Sequence, residues 1–281
     1  MTGEHVFPDW LNKVLPDLKN RLDRHADKTT YEPDPLSEYW PTQQLGRKLT
    51  SWKVHIACGP CNNQWMNRLQ TAARPSLTRM IRGEGFKLTS DEQAEVAKWA
   101  VMTCIVGEFT SRDPRARGWL PAADREHLLK VGRDDAPAEF PGWSVGIGRY
   151  VGSDDHPSYD HTFHEAGLEA PFGHSSTIVI GKLLIQGWRF LRDGTHRANK
   201  AGCEALGLTL IWPATAEPVQ WPPANGIDDK VRDLLRAELR KCFDRLVSND
   251  RARPLPKLLP RLSKCPCNSG RRYKDCHGRL T

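Results

Sequence analysis

The 281-residue sequence predicts an α+β fold, with a small strand-and-helix unit at the start, a central helix packed on a small antiparallel sheet, and a cysteine-rich module at the end. Strand patterns occur at residues 48–57 and in three runs between residues 143 and 212. A capping pattern at residues 90–93 precedes an apolar run, which predicts a long and mostly buried helix. The predicted parts are an N-terminal unit (1–82), an α+β domain of unassigned role (83–247), a linker (248–262) and a C-terminal module (263–281).

Composition argues against a membrane-spanning or secreted protein. Hydrophobic residues make up 38% of the chain, and no apolar run approaches the roughly 18 residues that a transmembrane helix needs. The first residues have neither the basic start nor the apolar stretch of a signal peptide. We therefore expect a cytoplasmic protein without a membrane partner. In a reducing compartment, clustered cysteines are expected to bind metal rather than to form disulfides.

The N-terminal unit carries two groups of side chains suited to metal chemistry, which are expected to form one metal site together. Glu4 and His5 are neighbours, so a hard oxygen ligand stands beside an imidazole that can take a proton from water near neutral pH. Some fifty residues later, Cys58 and Cys61 flank a Gly-Pro pair and offer two thiolates to a tetrahedral ion. A helix is predicted to begin directly after this knuckle, at Asn62.

Residues 4–11 (Glu-His-Val-Phe-Pro-Asp-Trp-Leu) together with residues 58–66 (Cys-Gly-Pro-Cys-Asn-Asn-Gln-Trp-Met) resemble an HNH endonuclease domain of the ββα-metal type. The resemblance covers residues 1 to about 82 and implies a metal-dependent endonuclease that hydrolyses DNA phosphodiesters. It implies His5 as the general base and Glu4 as a ligand of Mg²⁺ or another divalent ion. A further ligand of this family lies on the helix, usually as His, and the matching position here is Asn62 or Asn63.

The resemblance also leaves an alternative open. These domains commonly carry a Cys-x-x-Cys before the acid–His pair, which completes a four-thiolate zinc site with the knuckle, but only Met1-Thr2-Gly3 precede Glu4. Either the native protein has more residues upstream, or the domain has lost its activity. In the second case we expect a non-catalytic adaptor in which the knuckle is structural.

The C-terminal module has the clearest metal-binding pattern. A basic, proline-rich linker precedes three cysteines and a histidine that together supply one tetrahedral shell: Cys265, Cys267, Cys276 and His277. So short a segment has almost no core, and it folds only if metal binding, about 10 kcal/mol in zinc-finger peptides, replaces the missing burial. The pattern therefore predicts a structural Zn²⁺.

Residues 263–279 closely resemble the SEC-C motif, a zinc-binding module that recurs at the ends of many unrelated bacterial proteins. The resemblance implies contact with a protein partner rather than catalysis. Residues 251–281 contain nine basic residues against one acidic residue, whereas residues 1–250 sum to a charge of −1. The tail is therefore expected to attract the phosphates of DNA or an acidic partner.

The middle of the chain gives structural expectations only. Ser90 is predicted to cap the central helix with Gln93 reaching back, and Pro75 to begin a separate helix. Residues 176–185 are predicted to be one strand, and residues 228–247 an amphipathic helix. Four histidines are expected in an exposed loop: His156, His161, His164 and His174. Three cysteines outside the clusters are expected to be buried: Cys104, Cys203 and Cys242.

Overall fold

The computed structural model describes residues 2–15, 53–110, 120–134, 139–153, 157–164, 173–190, 200–233, 235 and 272. The predicted α+β class is confirmed within these ranges, because helices and strands both contribute to the packed core.

The N-terminal part is a pair of antiparallel strands, called the hairpin below although α1 lies between them in the chain, followed by a long helical run. Its elements in chain order are β1 (Thr2–His5), α1 (Leu11–Val14), β2 (Lys53–Ala57), α2 (Gly59–Cys61), a π-helical turn (Asn62–Met66) and α3 (Asn67–Arg82). The strand predicted before the knuckle and the helix predicted after it are thereby confirmed. Gly83 ends α3 with φ +73°, a left-handed conformation that glycine adopts without steric cost.

Pro75 does not begin a separate helix, as predicted, but lies inside α3. A proline within a helix leaves the carbonyl four residues earlier without its usual N–H partner. That residue here is Thr71, which is exposed, so water can satisfy the carbonyl. The rule that proline ends a helix therefore fails here, because solvent reduces the free-energy cost of leaving the Thr71 carbonyl without its N–H partner.

The central helix begins one residue earlier than a Ser90 cap would require, because Thr89 is its cap. The following elements are β3 (Phe86–Leu88), α4 (Ser90–Gly107), a 3₁₀ turn (Glu108–Thr110) and α5 (Ala122–Gly132). Thr89 caps α4: its hydroxyl accepts the Glu92 N–H at 3.3 Å, and the Glu92 carboxylate accepts the Thr89 N–H at 2.8 Å. Gln93 is buried instead and donates to the carbonyls of Leu88 and Glu217.

A six-stranded sheet forms the centre of the second half. The strands of this half are β4 (Trp143–Tyr150), β5 (Ser158–His164), β6 (Gly173–Ile180), β7 (Leu183–Phe190), β8 (Thr209–Trp212), β9 (Val219–Trp221) and β10 (Gly226–Ile227). All of them except β9 belong to the six-stranded sheet. The order is β10-β4-β7-β6-β5, with β8 also paired to β4, while β9 pairs with β3. All pairings in the large sheet are antiparallel except β10 with β4.

Two expectations about this sheet are wrong. Residues 176–185 are not one strand, because a turn at Gly181, with φ +55°, separates β6 from β7. The histidines are not in an exposed loop either: His161 and His164 belong to β5, and His174 belongs to β6 and is fully buried. His156 lies outside the described residues.

The sheet is buried on both faces, which creates two hydrophobic clusters. One face, including Trp143, Ile178 and Ile185, joins the main cluster with α3 and α4. The other face, including Leu184 and Trp188, packs against α6 (Lys200–Ala205) and the helical residues near Leu235. Apolar side chains that are buried on both faces of a sheet supply much of the apolar burial that stabilises a domain.

Asp229 fastens the C-terminal helical residues to the end of β4. Its carboxylate accepts hydrogen bonds from the Tyr150 hydroxyl and from the hydroxyl and amide of Ser153. Hydrogen bonds from Tyr150 and Ser153 hold the pKa of Asp229 well below its usual range, at about 2. Residues 229–233 and 235 are helical, and the rest of the helix predicted at 228–247 lies outside the described residues.

The predicted boundary near residue 82 runs through a shared core. Val6 and Phe7 from the N-terminal unit belong to the same buried cluster as Trp99 of α4 and Val145 of β4. The boundaries of the four predicted parts stay predictions, and the linker and the C-terminal module lie outside the described residues except for Arg272. No helix within the described ranges is long and apolar enough to cross a membrane.

Thr89→Ala should lower the free energy of unfolding by about 1 kcal/mol, because the first turn of α4 loses its side-chain cap. Ser90→Ala is the matched control and should change stability by less than about 0.5 kcal/mol, because Ser90 follows the cap. Urea denaturation of both variants measures the difference. Equal loss in the two variants, or a larger loss in Ser90→Ala, would contradict the assignment of Thr89 as the cap.

Candidate metal centres

The backbone of the N-terminal hairpin fixes where the acid–His pair lies. Glu4 and His5 are the last two residues of β1, and they pair with Val54 and Lys53 of β2. A bulge interrupts the pairing between Thr2 and Glu4. Because β-bulges bend a strand and re-aim its side chains, they are frequent beside functional sites.

The residues after the acid–His pair anchor the end of β1 in the main core. Val6 and Phe7 are 2% and 0% exposed, and Leu11 at the start of α1 is also buried. Their burial holds the end of β1 against the rest of the protein, since apolar side chains of this size lose much stability when they return to water. Glu4 and His5 therefore lie in a strand whose end is anchored in the core, and not in a loop.

The Cys58–Cys61 knuckle directly follows β2 and begins the helical run. Cys58 is the N-cap of α2, and its Sγ accepts the backbone N–H of Cys61 at 3.4 Å. Cys61 is buried, whereas Cys58 is half-buried against the main cluster. The structure thus brings the two predicted thiols together at one helix start.

The thiols and the acid–His pair lie at opposite ends of the hairpin. Thr2 pairs with Ala57, the residue before the knuckle, whereas His5 pairs with Lys53. Thr2 and His5 are three residues apart in β1, which corresponds to roughly 10 Å along a regular strand. Two separate centres, one of thiolates and one beside the acid–His pair, fit this arrangement better than one shared ion.

Asn62 follows the knuckle as the first residue of the π-helical turn and is half-buried, while Asn63 is exposed. Trp65 and Met66 of the same turn are buried in the core, as the sequence predicted. π-Helical turns are rare and frequently occur at functional sites. The helix therefore presents amide side chains next to the knuckle while its apolar side fixes its position.

The donor set at the knuckle suits zinc but is incomplete by itself. Thiolates are preferred ligands of Zn²⁺, and a structural zinc site needs four ligands. Within the part of the chain that the structure describes, no group of three or more His, Cys, Asp or Glu side chains converges on one point. Cys58 and Cys61 thus supply half of a tetrahedral site, and any further ligands must come from residues outside that part.

The predicted ligands of the C-terminal module, Cys265, Cys267, Cys276 and His277, lie outside the described residues. Three thiolates and one imidazole are a ligand combination found in structural zinc sites. Arg272, which lies between these ligands in sequence, is exposed and takes part in a single bridge pairing.

Comparison with known proteins identifies one family pattern. A family model described as the SEC-C motif matches residues 263–279, so the motif predicted at this end of the chain is confirmed. The SEC-C motif is associated with zinc binding, and it covers only the last part of the chain. No curated protein and no solved structure matches the chain. The comparisons give no support for an HNH domain, which stays a prediction.

Sequence reasoning missed a buried polar network between α4 and the sheet. His174 Nε2 lies 3.3 Å from Ser176 Oγ, which lies 3.0 Å from the Tyr159 hydroxyl, and Tyr159 donates to the Cys104 carbonyl at 3.2 Å. All four residues are buried. The alternation of His174 and Ser176 along one strand was the available signal, but it needed the strand assignment. Because none of these groups reaches solvent, the network is structural.

The predicted burial of Cys104 and Cys203 is confirmed, and Cys242 lies outside the described residues. Complete burial raises the pKa of the Cys104 thiol to about 12, since a thiolate there would lose its hydration. Thiol reactivity follows the thiolate form, so Cys104 is an inert packing residue.

Native protein that is freed of bound metal should be alkylated by iodoacetamide at Cys58 and not at Cys104, even at pH 9. Cys58 is partly accessible, whereas the folded Cys104 thiol stays protonated until the pH approaches 12. Peptide mapping by mass spectrometry measures both sites, and denatured protein gives the reference for full labelling. Labelling of native Cys104 at the rate of Cys58 would contradict its burial.

Proposed function

We propose that residues 1–82 form an HNH-like, ββα-metal endonuclease unit that hydrolyses DNA phosphodiesters, and that residues 263–281 form a structural zinc module. The observation that supports the first part is the order of elements: an antiparallel β1–β2 pair, an acid–His pair that ends β1, and a cysteine knuckle that leads from β2 into a helix.

The proposed roles are those that the HNH resemblance implies, and each side chain has chemistry that suits its role. Glu4 would hold Mg²⁺ or another divalent ion that stabilises negative charge on the scissile phosphate, and Asn62, which follows the knuckle, would have to reach the same ion from the other end of the hairpin. His5 would take the proton from the attacking water, since imidazole is the side chain whose ordinary pKa lies closest to neutral pH. Cys58 and Cys61 would hold a structural Zn²⁺ at the other end of the hairpin.

The remaining parts have supporting roles in this proposal. Residues 83–247 form an α+β domain against which the hairpin packs, as the shared cluster around Phe7 and Trp99 suggests. Residues 248–262 are the linker to the zinc module, whose basic tail would add salt-dependent attraction to DNA. Reduced thiols in both metal sites imply a cytoplasmic protein.

A non-catalytic adaptor is the second candidate function. Two observations favour it: Asn62 stands where the nuclease family usually has His, and the knuckle supplies only two thiols. A neutral amide oxygen is a weaker ligand than an imidazole or a carboxylate. In this case the knuckle is structural, and the zinc module docks on a protein or nucleoprotein partner.

Wild-type protein should nick supercoiled plasmid in the presence of Mg²⁺ or Mn²⁺, and His5→Ala should nick it at least about 100-fold more slowly, because general base catalysis is lost. His127→Gln is a matched control, since His127 lies on α5 and its loss should leave nicking unchanged. Agarose electrophoresis over time measures the rates. Equal cleavage by His5→Ala and wild type, or no cleavage by wild type, would favour the adaptor.

Purified, reduced protein should contain about one zinc ion that depends on the C-terminal module. Cys265→Ala/Cys267→Ala should lose that ion, because two of its four ligands are removed. Cys104→Ala/Cys203→Ala removes the same number of thiols from the core and should keep the zinc content. Mass spectrometry of metals measures both variants. Unchanged zinc in the first variant would refute the assignment, and Cys58→Ala/Cys61→Ala tests the knuckle separately.

A further inference from the structure

We propose that the exposed face of α3 is a binding surface for the phosphate backbone of double-stranded DNA. The inference rests on the proposed function in taking DNA as the partner. It concerns binding, however, which needs neither His5 nor a divalent ion. The two proposals can therefore fail separately.

Positive charge is concentrated in the segment that contains α3. Residues 39–83 contain seven Lys and Arg and no Asp or Glu, whereas the rest of residues 1–250 contains 25 basic and 33 acidic residues. Among the described residues of this segment, four of the cations lie on α3: Arg68, Arg74, Arg79 and Arg82. Outside the basic tail, this acid-free segment is therefore the most basic part of the chain, and four of its seven cations lie on one long helix beside the hairpin.

Arg68, Arg79 and Arg82 lie on the side of α3 that faces away from the core, and Arg74 lies at the edge of this side, about 80° around the helix from Arg82 and beside Trp10. The opposite side of α3 is buried and includes Leu69, Leu77 and Met80. At 3.6 residues per turn, Arg68, Arg79 and Arg82 follow one line along the exposed face, about 21 Å from the first to the last. That length corresponds to about six base pairs of duplex at 3.4 Å each.

The exposed side chains between the arginines are small. Thr71, Ala72 and Pro75 occupy the middle of the face, and Thr71 turns its hydroxyl back to the Asn67 carbonyl at 2.8 Å. Long guanidinium groups at both ends of a low surface can reach phosphates while the helix approaches the duplex closely. Arginine suits this role because its planar group can bind phosphate through two parallel hydrogen bonds.

Existing contacts leave Arg82 and Arg74 the most available. Arg68 lies 3.9 Å from Asp134 and Arg82 lies 3.7 Å from Glu84, but the two arginine side chains are 57% and 50% exposed, and exposed pairs of this kind are weak. Arg68 also donates to the Gly132 carbonyl at 2.7 Å, and Arg79 lies over the Phe86 ring and donates to the Gly85 carbonyl at 3.3 Å. Arg74 is exposed and lies over the Trp10 ring, 5.6 Å from its centroid.

Local helix stability accounts for only part of this charge. Arg79 and Arg82 lie in the last turn, where cations offset the negative end of the helix dipole. Arg68 and Arg74 lie eight or more residues before the end of α3, beyond the reach of that effect. The absence of acidic partners three or four residues away on α3 also excludes helix-stabilising ion pairs within it.

The face fits a duplex better than a membrane. A surface that binds lipid usually places large apolar side chains beside its cations. In the described ranges, Val151 is the large apolar residue with an exposed side chain, and it lies after β4. The small, polar and basic composition of the α3 face matches a phosphate backbone.

Fluorescence anisotropy with a labelled 20-base-pair duplex, in buffer without Mg²⁺ or Mn²⁺, tests the surface across a series of salt concentrations. Arg74→Gln/Arg82→Gln should weaken binding and reduce the slope of log K against log salt by about 2, because two phosphate contacts are lost. Arg74→Lys/Arg82→Lys should keep the slope. Lys200→Gln/Lys230→Gln, two exposed cations on the other side of the sheet, is the control of equal charge and should also keep it. Thermal melting verifies that each variant folds.

An unchanged slope in Arg74→Gln/Arg82→Gln would overturn the inference. Failure of the wild type to bind duplex would also overturn it, as would tighter binding to phosphatidylserine vesicles or to a polyglutamate peptide. Weakened binding in the arginine variant together with no plasmid nicking by the wild type would contradict the nuclease proposal and support the α3 binding surface. Plasmid nicking by the wild type with an unchanged slope in the arginine variant would support the nuclease proposal and contradict the binding surface.

Discussion

The packing of α4 against the antiparallel sheet is the interaction on which the rest of the described structure depends. Twelve of the eighteen residues of α4 are buried, and from Trp99 onward the helix has no solvent-facing side. It contacts α3 on one side and strands β4, β5 and β7 on the other. Since α3 follows the knuckle, the position of the candidate metal centres is set by α4. The capping pair of Thr89 and Glu92 fixes where this helix begins.

Close contacts show how little space this interface leaves. A Cβ atom at Gly187 would lie 2.8 Å from Cys104 Sγ, and one at Gly107 would lie 2.1 Å from the Tyr159 ring. Both glycines are therefore needed for close approach between helix and sheet. The hydrogen bonds of Tyr159 satisfy polar groups that would otherwise be buried without partners, which is costly in an interior of low dielectric constant.

The sequence predicted the elements with a distinct periodicity or cap, such as β4, β2 and α4, and failed where burial hid the pattern. Strands β6 and β7 are buried on both faces, so their apolar residues do not alternate with polar ones, and Gly181-Lys182 is the one short interruption between the apolar residues 178–180 and 183–185. The predicted cap is wrong by one residue because Thr89 with Glu92 and Ser90 with Gln93 both fit the capping-box pattern, and only the hydrogen bonds of the structure distinguish them. The location of His174 was predicted wrongly because a buried histidine on a strand and a solvated histidine in a loop have similar sequence neighbours.

For the candidate site, the sequence predicted which residues are neighbours in the chain, but not the separation between the acid–His pair and the cysteine knuckle. The register of β1 and β2 places the knuckle beside Thr2 and the acid–His pair beside Lys53. This separation bears on the choice between nuclease and adaptor. If one ion needed all the ligands, an incomplete thiolate set would remove catalysis as well. In the nuclease proposal, with two centres at opposite ends of the hairpin, the state of the knuckle would affect folding of the unit, whereas activity would depend on Glu4, His5 and the amide on the helix. The substitution of Asn for His at residue 62 is therefore the stronger argument for an adaptor, and the two-thiol knuckle is the weaker one.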